Sequence, residues 1–262
     1  MRKTKITGRK RRAAGLAAAL FLTALLASGC QGGKEKYAFR ETGISQMDAG
    51  DYEGAIQSFE QALEHSDGFV GEFELDVLKY RAEAEYALAD YAASAHTYDI
   101  LVQADGERPE YLNRGCVMHA LAGDTEAALA CYEKAFAQAP EEEETKDALM
   151  ALGDALEAED RGEEALALYE QALAGGMESG ALYSRMALCR MDAGDYEGAL
   201  AYLEQGLAAG DAQARAELLY SQAVVYEHML DFSSALRALE TYEAEFGATP
   251  EIRKEIAFLK TR

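Results

Sequence analysis

Four cysteines (Cys30, Cys116, Cys131, Cys189) and four histidines (His65, His96, His119, His228) are the side chains best suited to nucleophilic, acid–base or metal chemistry. Their spacing supports none of these. There is no His-Glu-x-x-His, no Gly-x-Ser-x-Gly, no phosphate-cradling glycine loop and no Cys-x-x-Cys, so zinc, acyl-enzyme and nucleotide chemistry lack their usual frames. The histidines are scattered through the chain and read as helix-surface or groove residues. Cys116 and Cys131 could be oxidised in an exported protein, but the strict geometry of a disulfide cannot be read from spacing. The acids at residues 141–144 are of the type that holds calcium, yet acids at a helix start usually complement the helix dipole. No catalytic residue, metal ligand or cofactor is assigned. The reading is of a protein that is not an enzyme.

The elements that must carry these residues are repeats. Met47-Asp48-Ala49-Gly50-Asp51-Tyr52-Glu53-Gly54-Ala55 recurs residue for residue as Met191-Asp192-Ala193-Gly194-Asp195-Tyr196-Glu197-Gly198-Ala199. Degenerate copies begin near Ala89, Ala122, Asp160 and Leu230. Self-similarity of this kind marks a repeat architecture. With only three prolines and a 49% hydrophobic fraction, the chain favours packed helices over disorder.

Charge is divided along the chain. Seven of the 25 Lys and Arg lie in the first thirty residues, which carry no acid, and all 47 Asp and Glu follow. Such an acidic body is repelled by nucleic acid and by anionic headgroups, so no nucleic-acid partner is expected. The basic start runs into an apolar stretch, residues 13–26, and then Ala27-Ser28-Gly29-Cys30. That is the plan of an export signal, and the stretch is shorter than the roughly 20 residues that span a bilayer. Leu26-Ala27-Ser28-Gly29-Cys30 resembles a bacterial lipobox, with Ala27 where the motif usually has leucine. The resemblance implies a signal peptide over residues 1–29, lipidation of Cys30 and a short linker to residue 36. An uncleaved signal anchor and a plain secretory signal are the alternatives. The implied location is the cell membrane, lipid-anchored and facing the extracytoplasmic side.

Taking units that begin at residues 36, 75, 109, 146, 180 and 216, the chain resembles the tetratricopeptide repeat. That pattern asks for small residues at positions 8, 20 and 27 and aromatics near 11, 17 and 24. Gly153, Ala165, Tyr169 and Ala172 fit it best, and Gly43, Ala55, Phe59 and Ala62 follow. Gln46 at position 11, Ser94 and Leu101 at small positions, and Tyr242 at the last small position depart from it. The resemblance implies an all-α fold, a right-handed superhelical solenoid of about six helix hairpins. The repeats cover residues 37–247, and residues 248–262 form a capping helix and tail.

Members of that family bind along a concave face lined by positions 2, 5, 9 and 12 of each first helix. The resemblance therefore points to Tyr37, Arg40, Lys79, Tyr86, Asn113, Met150, Asp154, Leu188, Tyr220 and Glu227 as a groove for protein or peptide segments. Tyrosine and methionine suit side-chain anchoring, while the acids favour a basic or neutral segment. Repeated lysine and asparagine of the kind that clamps a C-terminal carboxylate are missing. The expected function is a non-catalytic, lipid-anchored scaffold or adaptor. The alternative is a structural subunit of a cell-envelope assembly or secretion machine.

Overall fold

The computed structural model describes residues 32–66 and 68–262, and thus neither Cys30 nor the signal-like stretch before it. Among the described residues there are thirteen helices and no strand. They are α1 (Gly32–Asp48), α2 (Tyr52–Glu64), α3 (Glu72–Ala87), α4 (Tyr91–Asp105), α5 (Pro109–Ala122), α6 (Thr125–Gln138) and α7 (Glu143–Ala158). The chain continues with α8 (Gly162–Ala174), α9 (Gly180–Asp192), α10 (Tyr196–Ala209), α11 (Arg215–His228), α12 (Phe232–Phe246) and α13 (Pro250–Leu259). Consecutive pairs form six hairpins, with α13 packed on the last. The described residues up to Gly106 form one compact unit of two hairpins, and those from Glu107 form a second unit of four hairpins and α13. No described helix is long and apolar enough to cross a membrane.

One turn recurs inside all six hairpins. A residue at positive φ ends the first helix: Gly50 (+78°), Ala89 (+58°), Gly123 (+79°), Asp160 (+60°), Gly194 (+76°) and Leu230 (+60°). The next N–H then reaches back five residues, as from Asp51 to the Gln46 carbonyl at 2.8 Å and from Asp195 to that of Arg190 at 2.8 Å. These bonds satisfy carbonyls that the helix end would otherwise orphan. In five hairpins that same residue is aspartate, whose side chain accepts from the N–H three places on: Gly54, Ala93, Ala127, Gly198 and Ser234. Asp-x-x is thus both the stop of one helix and the start of the next.

The second helices bury a fixed triplet at i, i+4 and i+7. It reads Ala55, Phe59 and Ala62 in α2, and Ser94, Tyr98 and Leu101 in α4. It reads Ala128, Tyr132 and Ala135 in α6, Ala165, Tyr169 and Ala172 in α8, and Ala199, Leu203 and Gly206 in α10. This spacing keeps one stripe facing the partner helix. The large middle residue needs a small one opposite. A Cβ on Gly43 would meet the Phe59 ring, and one on Gly153 would fall on the Tyr169 hydroxyl. The Tyr169 hydroxyl donates to Glu157 Oε1 at 2.9 Å. Tyr132, one repeat earlier, has no such acceptor because Ala120 stands where Glu157 does, and its buried hydroxyl has no partner.

In the first unit α1 is longer than the sequence pattern implies. It begins at Gly32, so residues 32–36, read above as linker, are helical. Lys36 holds them down: its ammonium lies 2.8 Å from Glu74 Oε1 and 4.5 Å from the Phe73 ring centroid. The second unit is built around a larger apolar core running from Cys116 to Val225. At its end Ile252, Ile256 and Leu259 of α13 are buried with Ala235, Ala238 and Leu239 of α12.

Candidate functional site

The residues named for the groove do not share one fate. Tyr37 and Tyr86 in the first unit, and Tyr220 in the second, are about half exposed, at 54%, 50% and 48%. Each presents an apolar ring with a polar tip, the type of group that anchors partner chains. Tyr37 packs edge-on against Phe73, centroids 4.6 Å apart, and Tyr86 leans on Tyr91 at 5.8 Å, so both rings are held in place. Lys79 is half buried on α3. Met150 is partly buried against the core of the second unit, and Leu188 is half buried on α9. Glu227 is half buried as well; burial and the neighbouring Glu255 raise its carboxyl above the usual range, against the pull of His228.

Two of the charged candidates are engaged within the protein. Arg40 bonds Asp76 through Nε at 2.5 Å and Glu41 through Nη1 at 2.8 Å, and its guanidinium lies 5.5 Å from the Tyr80 centroid. Asp154 pairs with Arg185, which also reaches Glu157 at 3.2 Å. Arg185 sits one place beyond a groove position, so the family pattern passed over it. A side chain six places into the repeat is long enough to cross back to the preceding first helix.

Asn113 is the departure of most consequence. It is 1% exposed, not open to solvent, and its Nδ2 donates to Thr145 Oγ1 at 3.0 Å. Its Oδ1 is buried without a partner. An acceptor left so costs about 1–3 kcal/mol relative to a satisfied one. Asn113 nonetheless lines a cleft between α5 and α7, together with Arg114, Val117, Glu143, Glu144 and Asp147. Three of these, Asn113, Val117 and Asp147, fall at the family's lining positions and do come together. Thr145, which orients the asparagine, precedes the repeat's first position and had no signal in the pattern.

Several of the groups singled out for chemistry are engaged within the fold. Burial, then the neighbouring Cys131, pushes the Cys116 thiol far above its ordinary range, and its Sγ donates to the Ala148 carbonyl at 3.5 Å. Cys189, buried beside Glu157, is pushed up to about 12. Neither is a thiolate near neutral pH, and the thiolate is the nucleophile. No disulfide joins Cys116 to Cys131. His228 stacks on Tyr196 with centroids 5.2 Å apart, and His65 bonds the Gln61 carbonyl at 2.8 Å. Among the described residues no three His, Cys, Asp or Glu side chains converge as a metal set.

Comparison with known proteins agrees with this architecture. The tetratricopeptide-repeat family pattern matches residues 40–109 and 121–179. Among solved structures, the C-terminal part of a repeat-containing protein from Cytophaga hutchinsonii superposes with a TM-score of 0.65 at 15% identity, covering 92% of this chain and 94% of that one. MamA superposes at 0.56 and 15% identity, over 83% and 98% of the two chains. PilW, described as a widely conserved type IV pilus biogenesis factor, gives 0.54 and 17% identity, over 84% and 97%. At such identities the likeness concerns the fold alone. No curated protein matches the sequence. The hairpin series, its buried triplets and the family match together make this chain a tetratricopeptide-repeat protein.

Proposed function

We propose that this chain is a non-catalytic scaffold that holds protein or peptide segments along the face of its first helices, tethered outside the cytoplasm by lipid on Cys30. The observation that carries the binding half is three half-exposed tyrosines on first helices, Tyr37 on α1 and Tyr86 on α3 in the first unit and Tyr220 on α11 in the second. A ring costs little entropy to order and offers large contact area. Supporting the tether are the lipobox-like residues 26–30, ahead of a first helix that begins two residues later. Two or more acyl chains would hold the protein stably at a bilayer.

A second reading, a structural subunit of a cell-envelope assembly, draws support from the fold shared with a pilus biogenesis factor. It differs in partner lifetime rather than in surface. The test has two arms. Cells expressing the full chain are fed radiolabelled palmitate: label on the wild type and its loss in Cys30→Ala is the expected result, and an unlabelled wild type overturns the tether. Tyr86→Ala and Tyr220→Ala are then compared with wild type for binding to immobilised peptides. Binding should fall several-fold with the helical circular dichroism unchanged; equal binding by all three forms rejects this face. Co-purification of a stable membrane complex would favour the subunit reading.

A further inference from the structure

The Asn113 amide has a fixed orientation. Thr145 Oγ1 donates its proton to the Ala139 carbonyl at 2.9 Å, an oxygen that can only accept. Toward Asn113 the threonine can therefore only accept, so the group 3.0 Å away is the amide nitrogen. The unpartnered atom is then the oxygen Oδ1, in a side chain 1% exposed. What is missing at this cleft is a hydrogen-bond donor.

The cleft walls narrow the kind of donor. Glu143, Glu144 and Asp147 contribute three carboxylates, and only Glu143 has a cation on it, Lys146 at 3.0 Å. Val117 gives one apolar wall. Arg114 also lines the cleft and, having donors only, would welcome an acid. An incoming carboxylate, however, would set oxygen against the Asn113 oxygen. A backbone N–H would satisfy Asn113 but leave Glu144 and Asp147 unmatched. A compact ammonium has three donors to direct at three separate acceptors, whereas a planar guanidinium prefers one carboxylate edge.

We propose that this cleft receives a lysine side chain of the bound segment, its ammonium on Asn113 Oδ1 between Glu144 and Asp147 and its methylenes along Val117. The inference rests on the reading above, that the chain binds peptide segments, and names what one position of such a segment is.

The test is an array of random-sequence peptides probed with the full chain in detergent, as wild type, Glu144→Gln and Asp147→Asn. Both altered residues are exposed, so the fold is retained and circular dichroism checks it. The expected result is that bound peptides contain a lysine whose replacement by norleucine weakens binding at least ten-fold. Asp147→Asn should weaken the lysine peptides several-fold and leave the norleucine versions unchanged. Peptides that bind equally with norleucine, or whose binding ignores both variants, overturn the lysine subsite while leaving the scaffold standing. No peptide bound by any form overturns both.

Discussion

The seam between α1 and α3 in the first unit and that between α5 and α7 in the second join equivalent helices of successive hairpins with different chemistry. In the first, Lys36 meets Glu74 and Arg40 meets Asp76, so two ion pairs close the joint. In the second, Asn113 meets Thr145 and the Cys116 thiol meets a carbonyl, so the bonds are neutral. The lesson is that the repeat constrains the buried stripe and leaves the seam variable. A charged seam is complete but titrates. Neutral bonds of this kind do not change with mild acid, and here they leave one acceptor over, Asn113 Oδ1.

The largest expected effect tests whether the second unit depends on close packing. Gly153→Leu drives a side chain into the Tyr169 hydroxyl and removes room for its bond to Glu157. Overpacking together with a lost buried hydrogen bond should cost about 3 kcal/mol or more. Hydrogen exchange followed by mass spectrometry should show protection lost beyond residue 107 and kept within residues 32–105. The loss should be the same at pH 7 and at pH 5. An unchanged exchange pattern would mean that this crossing is not where the unit is held.

Next comes the charged seam. Burial opposes ionisation of Glu74, but Lys36, the Ser66 hydroxyl and the Gly71 N–H outweigh it and take the carboxyl from 4.5 down to about 2. The depressed value fixes the sign. The stabilisation is fully present above pH 4.5, where the unfolded carboxyl is already ionised, and is lost as pH falls toward 2. A shift of that size corresponds to about 3 kcal/mol. The first unit should therefore lose exchange protection progressively over that window, and Glu74→Gln should start weaker and respond less. Identical acid profiles for wild type and variant would break the contrast between the seams.

Much of this was legible because the sequence signals are local. Position-specific small residues mark the hairpin crossings, and the recurring nine residues fall on the turns. Even the departures proved interpretable: Ser94 is buried at a small position because it donates to the Ala82 carbonyl at 2.9 Å. Gln46, at a position the family fills with an aromatic, accepts from Ser58 at 2.6 Å. The groove was less legible. Whether Arg40 or Asp154 faces a ligand depends on a partner 31 to 36 residues away, Asp76 or Arg185. No rule of position within one repeat encodes that pairing. Asn113, expected to be open in the groove, is buried at the back of a cleft instead, and it is held there by Thr145, which lies outside the repeat's own numbering.

The smallest effect sharpens the comparison, because residues 47–55 and 191–199 are the same nine residues set in different units. Gly50 and Gly194 stand at φ +78° and +76°, and no neighbour lies within 4 Å of a Cβ built on either. The cost of alanine at each is therefore backbone conformation alone, about 1 kcal/mol. Gly50→Ala should lower the stability of the first unit and Gly194→Ala that of the second by the same amount, at any pH from 7 to 5. Denaturant melts read by exchange in each unit would measure both. Equal costs would assign the turn to the nine residues and the difference between units to their seams. Unequal costs would mean that residues flanking the nine reach into the turn: Gln46, just before the first copy, bonds Ser58, whereas Arg190, just before the second, lies 3.7 Å from Asp195.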